Sequence, residues 1–421
     1  MNKKIVAIGV FFCLIVLAFV GYIYYSHQNH LVSTAQEKPA EKEIVVPKET
    51  LSKPEPQEKP DVKEEPISIP LDSIETLEGS VESDALEFYQ KGNFKRALEL
   101  FNKNFQEKQS EEEKAYSLAY MAKCQEYMGN KEKAAESWNL LISQYPKSFY
   151  CGDAKYFLAE SAETKDQNKK MLTEAIEHAE KSLGGRKAAL KLGELYLSKG
   201  DKLQAWKCYS SAMKSSLSNK QRKEVKAILD PIVAELLLSA EATGCIVYRV
   251  TQGDNLTRIA KKHKSSVEMM RHVNKKTSDE IFIGRDLKVV PGMPYIEVYK
   301  NSYFLVVYLA NHLYLQSYEI GLGKDNKTPV GSFTIKVKQK NPDWYTEEKG
   351  KTIKIPFNDP RNTLGTRWMG FNHDGIGIHG TKEPESIGKS MSNGCVRMKN
   401  EEVDQLFEIV GLGTQVSIHT R

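Results

Sequence analysis

Residues 26–80 are rich in proline and in charges of both signs, and this composition constrains the fold of the whole chain. Such a stretch cannot bury enough apolar surface to offset the entropy lost on ordering, so it is not expected to fold. We expect a semi-extended tether with a reach on the order of 50–150 Å, depending on its polyproline II content. The globular part of the chain must therefore be built from the residues that follow. The prolines of the tether are Pro39, Pro47, Pro54, Pro56, Pro60, Pro66 and Pro70.

An almost unbroken apolar run, Ile5 to Tyr25, precedes the tether and follows Lys3 and Lys4. About twenty apolar residues span a bilayer, and the positive flank favours a cytoplasmic N-terminus. We expect a signal anchor over residues 1–25 that crosses the cytoplasmic membrane once and leaves everything downstream outside the cytoplasm. A cleaved signal peptide is the main alternative, but its apolar core would be shorter and no clear small-x-small cleavage site follows.

Residues 81–240 carry a helical periodicity with an internal repeat. The repeated sets are Gly92, Ala97 and Phe101; Gly129, Ala134 and Trp138; and Gly200, Ala205 and Tyr209. This spacing resembles tetratricopeptide repeats, in which a small residue lies where two helices cross and an aromatic residue fills the gap beside it. The resemblance implies an all-α solenoid that binds a protein partner along its concave face, and a helical spacer without a ligand is the alternative. The copy between Pro146 and Gly184 is degenerate.

The segment from Ile246 to Pro291 has the pattern of a small α+β module. A strand, a turn at Gly253-Asp254, two amphipathic helices and a closing strand fit so small a core. The pattern resembles a LysM module, which implies binding to N-acetylglucosamine-containing glycans such as peptidoglycan. A basic run would help to hold an anionic wall, or would form only a solvated face. Its residues are Arg258, Lys261, Lys262, Lys264, Arg271, Lys275 and Lys276.

From Tyr295 onward the pattern changes to short β-rich runs separated by polar turns. The polar stretch from Asn341 to Lys354 lies between two such runs. We expect a loop that covers a cleft, with Trp344 as one wall, and an ordinary surface loop is the alternative. The β-rich runs are 296–299, 304–308, 313–318, 333–337 and 415–418.

Two motifs near the C-terminus place a histidine and a cysteine in settings that favour nucleophilic chemistry. Ile376 and Ile378 alternate with glycines into His379, which predicts the end of a buried strand that presents an imidazole. The Ser-Asn-Gly turn before Cys395 lets backbone N–H groups converge, as an oxyanion hole requires. A helical pattern after Cys395 predicts a helix whose N-terminal dipole would favour the thiolate. The sequence therefore predicts a cysteine nucleophile with a histidine base.

Each of these residues alone has an ordinary explanation. A cysteine beside glycines is most often a small buried residue, and a single histidine is usually a satisfied polar group. A zinc site formed by His373, His379 and Cys395 would use suitable residue types, but no C-x-x-C spacing supports it. The spacing also pairs none of the other downstream cysteines into disulfides. These are Cys124, Cys151, Cys208 and Cys245.

Together the motifs resemble the L,D-transpeptidase catalytic domain of the YkuD family, bacterial cysteine enzymes that cross-link peptidoglycan. The resemblance covers about the last third of the chain. One position departs from the family pattern, which usually has a second histidine directly before the Gly-Cys pair, where this chain has Asn393. Any electrostatic or substrate role of that histidine is therefore in doubt here. The motifs are Gly321–Gly323, Thr328–Phe333, Asn362–Trp368, Ile378–Thr381 and Ser392–Met398.

The resemblance implies a role for each motif residue. Cys395 would be the nucleophile and His379 the general base, with the carbonyl of Gly380 orienting the imidazole and the N–H of Gly394 stabilising an oxyanion. Arg397 would pair with a stem carboxylate or brace the cysteine loop. The candidate substrate-binding residues are Ser392, Asn393, Arg397 and Trp344.

The implied reaction begins with attack on the third residue of a tetrapeptide stem and release of D-alanine. An amine of another stem then resolves the thioester into a 3→3 cross-link, without a metal or organic cofactor. Carbapenem acylation of the cysteine is a further expectation. A carboxypeptidase that uses water and a non-catalytic wall-binding scaffold are the alternatives. The sequence contains no basic run interleaved with aromatic residues, and its net charge is only +5, so it does not indicate a nucleic-acid partner.

The predicted architecture is therefore multidomain and belongs to the bacterial cell envelope. Its order is a transmembrane anchor over 1–25, a tether over 26–80, an all-α repeat solenoid over 81–240, an α+β LysM module over 246–291, and a mostly β, β-sandwich-like catalytic domain over 294–421.

Overall fold

The computed structural model describes residues 82–108, 110–240, 244–348 and 350–420. The expected membrane anchor and tether lie outside these residues. Within the described part of the chain, no helix is both long enough and apolar enough to cross a membrane.

Residues 82–236 are helical, and consecutive helices pack against each other. Several begin at a side-chain cap; Ser110, for example, accepts from the N–H of Glu113, and Thr164 forms a capping box with Gln167. The helices are α1 (Glu82–Gln90), α2 (Phe94–Glu107), α3 (Glu111–Tyr127), α4 (Lys131–Gln144), α5 (Cys151–Glu160), α6 (Lys165–Ile176), α7 (Leu183–Ser198), α8 (Lys202–Met213) and α9 (Asn219–Leu236).

The predicted sequence repeat corresponds to pairs of these helices. Gly92, Gly129 and Gly200 each lie between the two helices of a pair, with φ between +75° and +78°. This left-handed conformation ends a helix at least cost when the residue is glycine. The alanine and the aromatic residue of each set are buried on the helix that follows. The helical prediction is confirmed, and the tetratricopeptide assignment stays a prediction.

The next module has the predicted order of strand, two helices and strand. Its two strands pair antiparallel, with Ile246 opposite Val289. The amide of Asn274 closes the module, because it accepts from the N–H of Lys288 over 2.8 Å and donates to its carbonyl over 2.7 Å. The elements are β1 (Ile246–Arg249), α10 (Leu256–Lys262), α11 (Val267–Val273) and β2 (Asp286–Val289).

The C-terminal region is rich in β-structure, as predicted, with one α-helix among its described residues. The elements are β3 (Tyr295–Tyr299), β4 (Phe304–Tyr308), β5 (Tyr314–Glu319), β6 (Leu322–Gly323), β7 (Gly331–Lys340), β8 (Trp344–Glu348), β9 (Lys351–Ile355), β10 (Arg367–Phe371), β11 (Gly377–His379), β12 (Ser390–Ser392), β13 (Val396–Arg397), α12 (Asn400–Phe407) and β14 (Gln415–His419).

Eight of these strands form one continuous sheet in the order β13-β11-β10-β7-β14-β3-β4-β5. The pairs β11–β13 and β14–β3 are parallel, and the other neighbours are antiparallel. The register shifts between Gly370 and Phe371 on β10 and between Val307 and Tyr308 on β4, where bulges bend the strands. The β-rich prediction is confirmed, and the sandwich-like arrangement of these strands stays a prediction.

The described residues of the stretch 341–354 include two paired strands, so the prediction of a loop is wrong. Trp344–Glu348 pairs antiparallel with Lys351–Ile355, in a ribbon separate from the main sheet. Half-buried Thr346 and Ile353 face each other across the ribbon, while most of its other side chains are exposed. The polar composition of the stretch hid this short strand pattern.

The last helices of the repeat region share a hydrophobic core with the sheet. Trp206 on α8 is fully buried, and its indole N–H donates to the carbonyl of Tyr314 over 2.8 Å. The hydroxyl of Tyr314 donates to Asp230 on α9 over 2.7 Å. All five residues of β4 are buried as a result. The helices therefore form part of the support of the eight-stranded sheet.

A buried arginine reinforces this junction. Arg222 on α9 is fully buried, and its guanidinium lies 3.7 Å from the ring centroid of Tyr299. It donates to the hydroxyl of Ser302 over 2.9 Å and to the carbonyls of Met213 and Ser215 over 2.6 and 2.9 Å. Because buried donors must be paired, these bonds fix the helices against the sheet in one arrangement.

Candidate active site

Two neighbouring parallel strands bring the histidine and cysteine motifs together. β11 ends at His379, and β13 begins directly after Cys395. The register of these strands places His379 opposite Arg397. Because Cys395 directly precedes β13, this pairing places the predicted nucleophile and the predicted base at the same edge of the sheet.

His379 is buried, with 5% of its surface exposed. Its Nδ1 lies 2.6 Å from the carbonyl oxygen of Gly380. Because a carbonyl oxygen only accepts, we assign the proton of the neutral imidazole to Nδ1, which leaves Nε2 as the basic nitrogen. Burial lowers the pKa of His379 to about 4; the bond to Gly380 opposes this shift, and the charge of Arg397 adds to it. At neutral pH the imidazole is therefore an uncharged base.

The Cys395 thiol is half-buried, and its Sγ donates to the carbonyl oxygen of Gly375 over 3.2 Å. Burial raises the pKa of this thiol, while the backbone N–H of Gly377 and the charge of Arg397 oppose the shift. The resting pair therefore consists of a neutral thiol and a neutral imidazole. Proton transfer to His379 requires the thiol hydrogen to leave the Gly375 carbonyl.

The expected contribution of a helix dipole at the cysteine is wrong. β13 separates Cys395 from α12, which begins only at Asn400. A helix dipole acts over about one turn, so it has little effect at this distance. The groups that favour the thiolate are instead the N–H of Gly377 and the guanidinium of Arg397.

Arg397 has unused hydrogen-bonding capacity beside the cysteine. It is 7% exposed, and neither its Nε nor its Nη2 has a hydrogen-bond partner among the described residues. Both atoms pack against Gly321, which has no side chain to cover them. Burial lowers the pKa of Arg397, and the charge of Glu383 opposes the shift. Both unpaired atoms are therefore buried against the backbone beside the cysteine turn, and the pairing of Arg397 with a ligand carboxylate stays a prediction.

The described residues contain no group of three or more His, Cys, Asp or Glu side chains that could hold a metal ion. His373, considered above as a zinc ligand with His379 and Cys395, is exposed, and its Nδ1 lies 3.3 Å from the carbonyl oxygen of Asp374. The five cysteines of the described chain are all free.

Comparison with known proteins assigns this region. The L,D-transpeptidase catalytic domain (YkuD) matches residues 293–418, and the LysM domain matches residues 248–290. The putative L,D-transpeptidase YqjB of Bacillus subtilis is 43% identical over 135 residues, which are 31% of this chain and 73% of that protein. The chain belongs to the L,D-transpeptidase family.

A second relative matches over almost its whole length. The putative L,D-transpeptidase YkuD of Bacillus subtilis is 32% identical over 183 residues, which are 41% of this chain and 99% of that protein. The NMR structure of the catalytic domain from the E. faecium L,D-transpeptidase is 24% identical and covers 30% of this chain and 96% of that chain. Its TM-score of 0.25 is too low to support a structural argument.

Asn362 supports the histidine of this transpeptidase domain, a role that the sequence did not reveal. Its fully buried amide donates to the carbonyls of Pro342 and Ile355 over 3.0 and 3.1 Å and accepts from the N–H of Leu364 over 3.0 Å. The backbone of Leu364 in turn raises the pKa of His379. Asn362 thus ties the base of the β8–β9 hairpin to the imidazole. Its place in the Asn-Thr-Leu-Gly motif was the only signal in the sequence.

Of the other predicted substrate residues, Ser392 and Asn393 lie in the cysteine turn, and Trp344 lies on β8. Asn393 is exposed, two residues before Cys395. The hydroxyl of Ser392 donates to the carbonyl of Cys395 over 2.8 Å and accepts from the N–H of Gly394 over 3.3 Å, so it shapes the turn. Trp344 is half-buried on β8, and within the described chain no hydrogen bond or ring contact joins it to the histidine or the cysteine. Their contacts with substrate remain predictions.

Proposed function

We propose that this chain is a peptidoglycan L,D-transpeptidase with Cys395 as its nucleophile and His379 as its general base. The donor is a tetrapeptide stem, attacked at the carbonyl carbon of its third residue. D-Alanine leaves, the third residue stays on Sγ as a thioester, and an amine of a second stem attacks the thioester to form a 3→3 cross-link. The observation that carries this proposal is the parallel pairing of β11 with β13, because it places His379 and Cys395 at one edge of the sheet.

His379 moves the protons in both halves of the reaction. Its Nε2 accepts the thiol proton as Sγ bonds to the stem carbonyl, and the imidazolium then gives that proton to the departing amine of D-alanine. The carbonyl of Gly380 stabilises the imidazolium through Nδ1–H, the position that a carboxylate occupies in Ser-His-Asp triads. In the second half, Nε2 takes a proton from the acceptor amine and returns it to sulfur as the thioester breaks.

Backbone N–H groups of the cysteine turn stabilise the tetrahedral oxyanion. The Gly394 N–H makes only a long bond of 3.3 Å to Ser392, so it can be redirected to an oxyanion at small cost. The N–H of Cys395 is the second donor in this proposal. The N–H of Gly377 acts at the sulfur, where it favours the thiolate.

Two further groups hold the substrate. In this proposal the guanidinium of Arg397 pairs with a carboxylate of the donor stem. The LysM module holds a glycan strand close to the site, and an ion pair of 3.0 Å between Glu268 on α11 and Lys338 on β7 fastens the module to the catalytic sheet. The two domains indicate an extracytoplasmic protein of the cell wall. Anchoring by residues 5–25 and a protein partner on the helical repeats complete the proposal.

The decisive experiment compares the full-length chain with its Cys395→Ala variant on tetrapeptide-rich peptidoglycan, followed by mass spectrometry of the muropeptides. We expect new 3→3 dimers with the wild type and none with the variant. Tripeptides without dimers would identify a carboxypeptidase that uses water as its acceptor. No change with a folded wild-type chain would point to a wall-binding scaffold, and either outcome would contradict the proposal. The full-length chain is used because α8 and α9 contribute to the catalytic core.

Gly394→Ala is expected to slow acylation of Cys395 by at least about tenfold, because the cysteine would be displaced from its productive geometry. Gly394 has a φ of +128°, which side chains rarely adopt. An added Cβ would lie 2.9 Å from Cδ1 of Ile376 and 3.2 Å from the carbonyl oxygen of Lys327. The measurement is the rate at which imipenem, a carbapenem, forms an adduct with the protein, followed by mass spectrometry.

Gly388→Ala is the matched control for this substitution. Gly388 also has a positive φ, +79°, but an added Cβ would meet no atom within 4 Å. The backbone strain should therefore cost about 1 kcal/mol of stability without slowing acylation. Equal rates for the two variants would show that crowding at the cysteine turn has no effect on the reaction.

A further inference from the structure

Asn400 is the first residue of α12, but its side chain bonds to a segment outside this helix. Its Oδ1 accepts from the N–H of Thr366 over 3.2 Å. The N-cap of the helix is Lys399, which makes no side-chain cap bond. Asparagine at a helix start ordinarily caps the helix through its side-chain oxygen. Here that oxygen instead accepts a hydrogen bond from Thr366, the residue directly before β10.

The oxygen of Asn400 touches two backbone segments at once. A Cβ added to either Gly365 or Gly380 would collide with it. The two glycines are therefore packed directly against the amide, which leaves no room for a side chain at either position. Gly365 directly precedes Thr366, whose N–H donates to Asn400, and Gly380 directly follows His379.

These two segments are the supports of the catalytic imidazole. Gly380 supplies the carbonyl oxygen that lies 2.6 Å from Nδ1 of His379. The backbone of Leu364, two residues before Thr366, raises the pKa of His379. The segments are also joined to each other, because the N–H of Gly380 donates to the carbonyl of Arg367 over 3.2 Å. A single side chain thus packs against both backbone segments that carry these groups.

A second residue of the same helix holds only one of the two segments. Asp404, one turn further along α12, accepts from the hydroxyl of Thr366 over 2.6 Å and pairs with Arg367 over 3.3 Å. None of its hydrogen bonds or ion pairs with described residues reaches Gly380. The combined contact with Gly365 and Gly380 is therefore specific to Asn400.

We propose that Asn400 is a positioning residue for the general base: its Oδ1 fixes the Gly380 carbonyl and the Leu364 backbone, and so sets the direction of Nε2 of His379. The inference rests on the proposed function of the Cys395–His379 pair. Only an acceptor oxygen is needed at this point, since the Thr366 N–H is the donor. Aspartate should therefore replace asparagine, and alanine should not.

The experiment measures acylation of the full-length chain by imipenem at saturating concentration, from pH 4 to 8. Asn400→Ala is expected to react about 10- to 100-fold more slowly than the wild type, with an unchanged half-saturating concentration, because the base is misdirected while the binding groups remain. Asn400→Asp should recover the rate to within about threefold. Gln405→Ala, an exposed change on the same helix, is the control and should match the wild type.

The aspartate variant adds a second measurement, the pH dependence of the acylation rate. This dependence would not change if Asn400 had only a structural role. Its carboxylate would lie against Gly380, the residue that directly follows His379. The charged groups near this point are Arg397 on β13 and the pair of Arg367 with Asp404. A new negative charge there raises the pKa of His379, so the acid limb of the rate profile should move to higher pH.

The outcomes separate the two proposals. A wild-type chain that forms no adduct at Cys395 would contradict the proposed function itself. An acylated wild type with a folded Asn400→Ala variant of equal rate would overturn the role of Asn400. If the alanine variant does not fold, the aspartate variant decides, because an unmoved acid limb would show that this position is not coupled to the base.

Discussion

Replacement of His379 by glutamine is expected to slow acylation of Cys395 by imipenem about 10³-fold. Glutamine has a similar size and can still donate to the Gly380 carbonyl, but it has no basic nitrogen to take the thiol proton. General-base catalysis contributes about 10²- to 10⁴-fold. Burial raises the pKa of the Cys395 thiol, so little thiolate is present at neutral pH without the base. The rate of adduct formation on the full-length chain, followed by mass spectrometry, measures the effect.

His373→Gln is the matched control for this substitution. His373 is exposed on the turn before β11, and its loss should leave the acylation rate within about twofold of the wild type. If the wild type and the His379→Gln variant formed the adduct at equal rates, the assignment of His379 as the base would be wrong. Loss of adduct in both variants would point to a general disturbance of the turn.

The His379→Gln substitution also changes how the free energy of unfolding depends on pH. The pKa of His379 is about 4 in the fold and 6.5 ordinarily, so at pH 5 the unfolded chain binds a proton that the folded chain does not. The stability that comes from the neutral histidine is complete above pH 6.5 and is lost as the pH falls toward 4. Between pH 7 and 5 this loss is about 2 kcal/mol, and the His379→Gln variant should not show it. Urea unfolding of both proteins at the two pH values tests the difference.

The local environment of the two motifs could be predicted because it depends on residues close in sequence. The alternation of Ile376 and Ile378 with glycines predicts the strand that ends at His379, and the structure has that strand as β11. The electrostatics could not be predicted in the same way. The neutral state of Cys395 depends on burial by segments such as the turn at Gly375, twenty residues earlier in the chain. Burial is a property of tertiary packing, and a motif does not specify it.

The larger departures also arise from tertiary structure. The segment 341–354 lacks an apolar face of its own, and its strands form because they pair with each other and because Asn362 holds their base. Similarly, the repeat spacing predicts helix pairs, but it does not show what the last pair packs against. Arg222 illustrates the limit, since a charged residue in a helix is normally expected at the surface, and here it is fully buried against the sheet.

Trp206→Ala is expected to destabilise the catalytic domain by about 3–5 kcal/mol, although Trp206 lies outside the region that matches the catalytic family. The substitution would open a cavity between α8 and the sheet. It would also remove the indole N–H that donates to the buried carbonyl of Tyr314 over 2.8 Å, which leaves that carbonyl without a donor. Hydrogen–deuterium exchange should therefore increase across residues 304–319, the strands against which the helices pack.

Trp138 offers a matched control because it is equally buried and also donates its indole N–H, to Glu126 over 2.6 Å. Its core cluster lies entirely within the helical repeats. Trp138→Ala should cost a similar free energy of unfolding locally and increase exchange in residues 111–144, while the exchange of β4 and β5 stays unchanged. Unchanged exchange of these strands in the Trp206 variant as well would show that the helices and the sheet are independently stable.

The shared core has a direct consequence for a fragment that begins at residue 246. Such a fragment keeps both regions that match known families, but it loses Trp206, Arg222 and Asp230 and uncovers β4, whose five residues are all buried in the full chain. An exposed apolar sheet face favours association and loose packing, so we expect dye binding and a broad, low thermal transition. A sharp transition at the temperature of the full-length chain would instead show that the sheet needs no helical cover. The family domain would then be the folding unit, and the repeats would be only a spacer beside it.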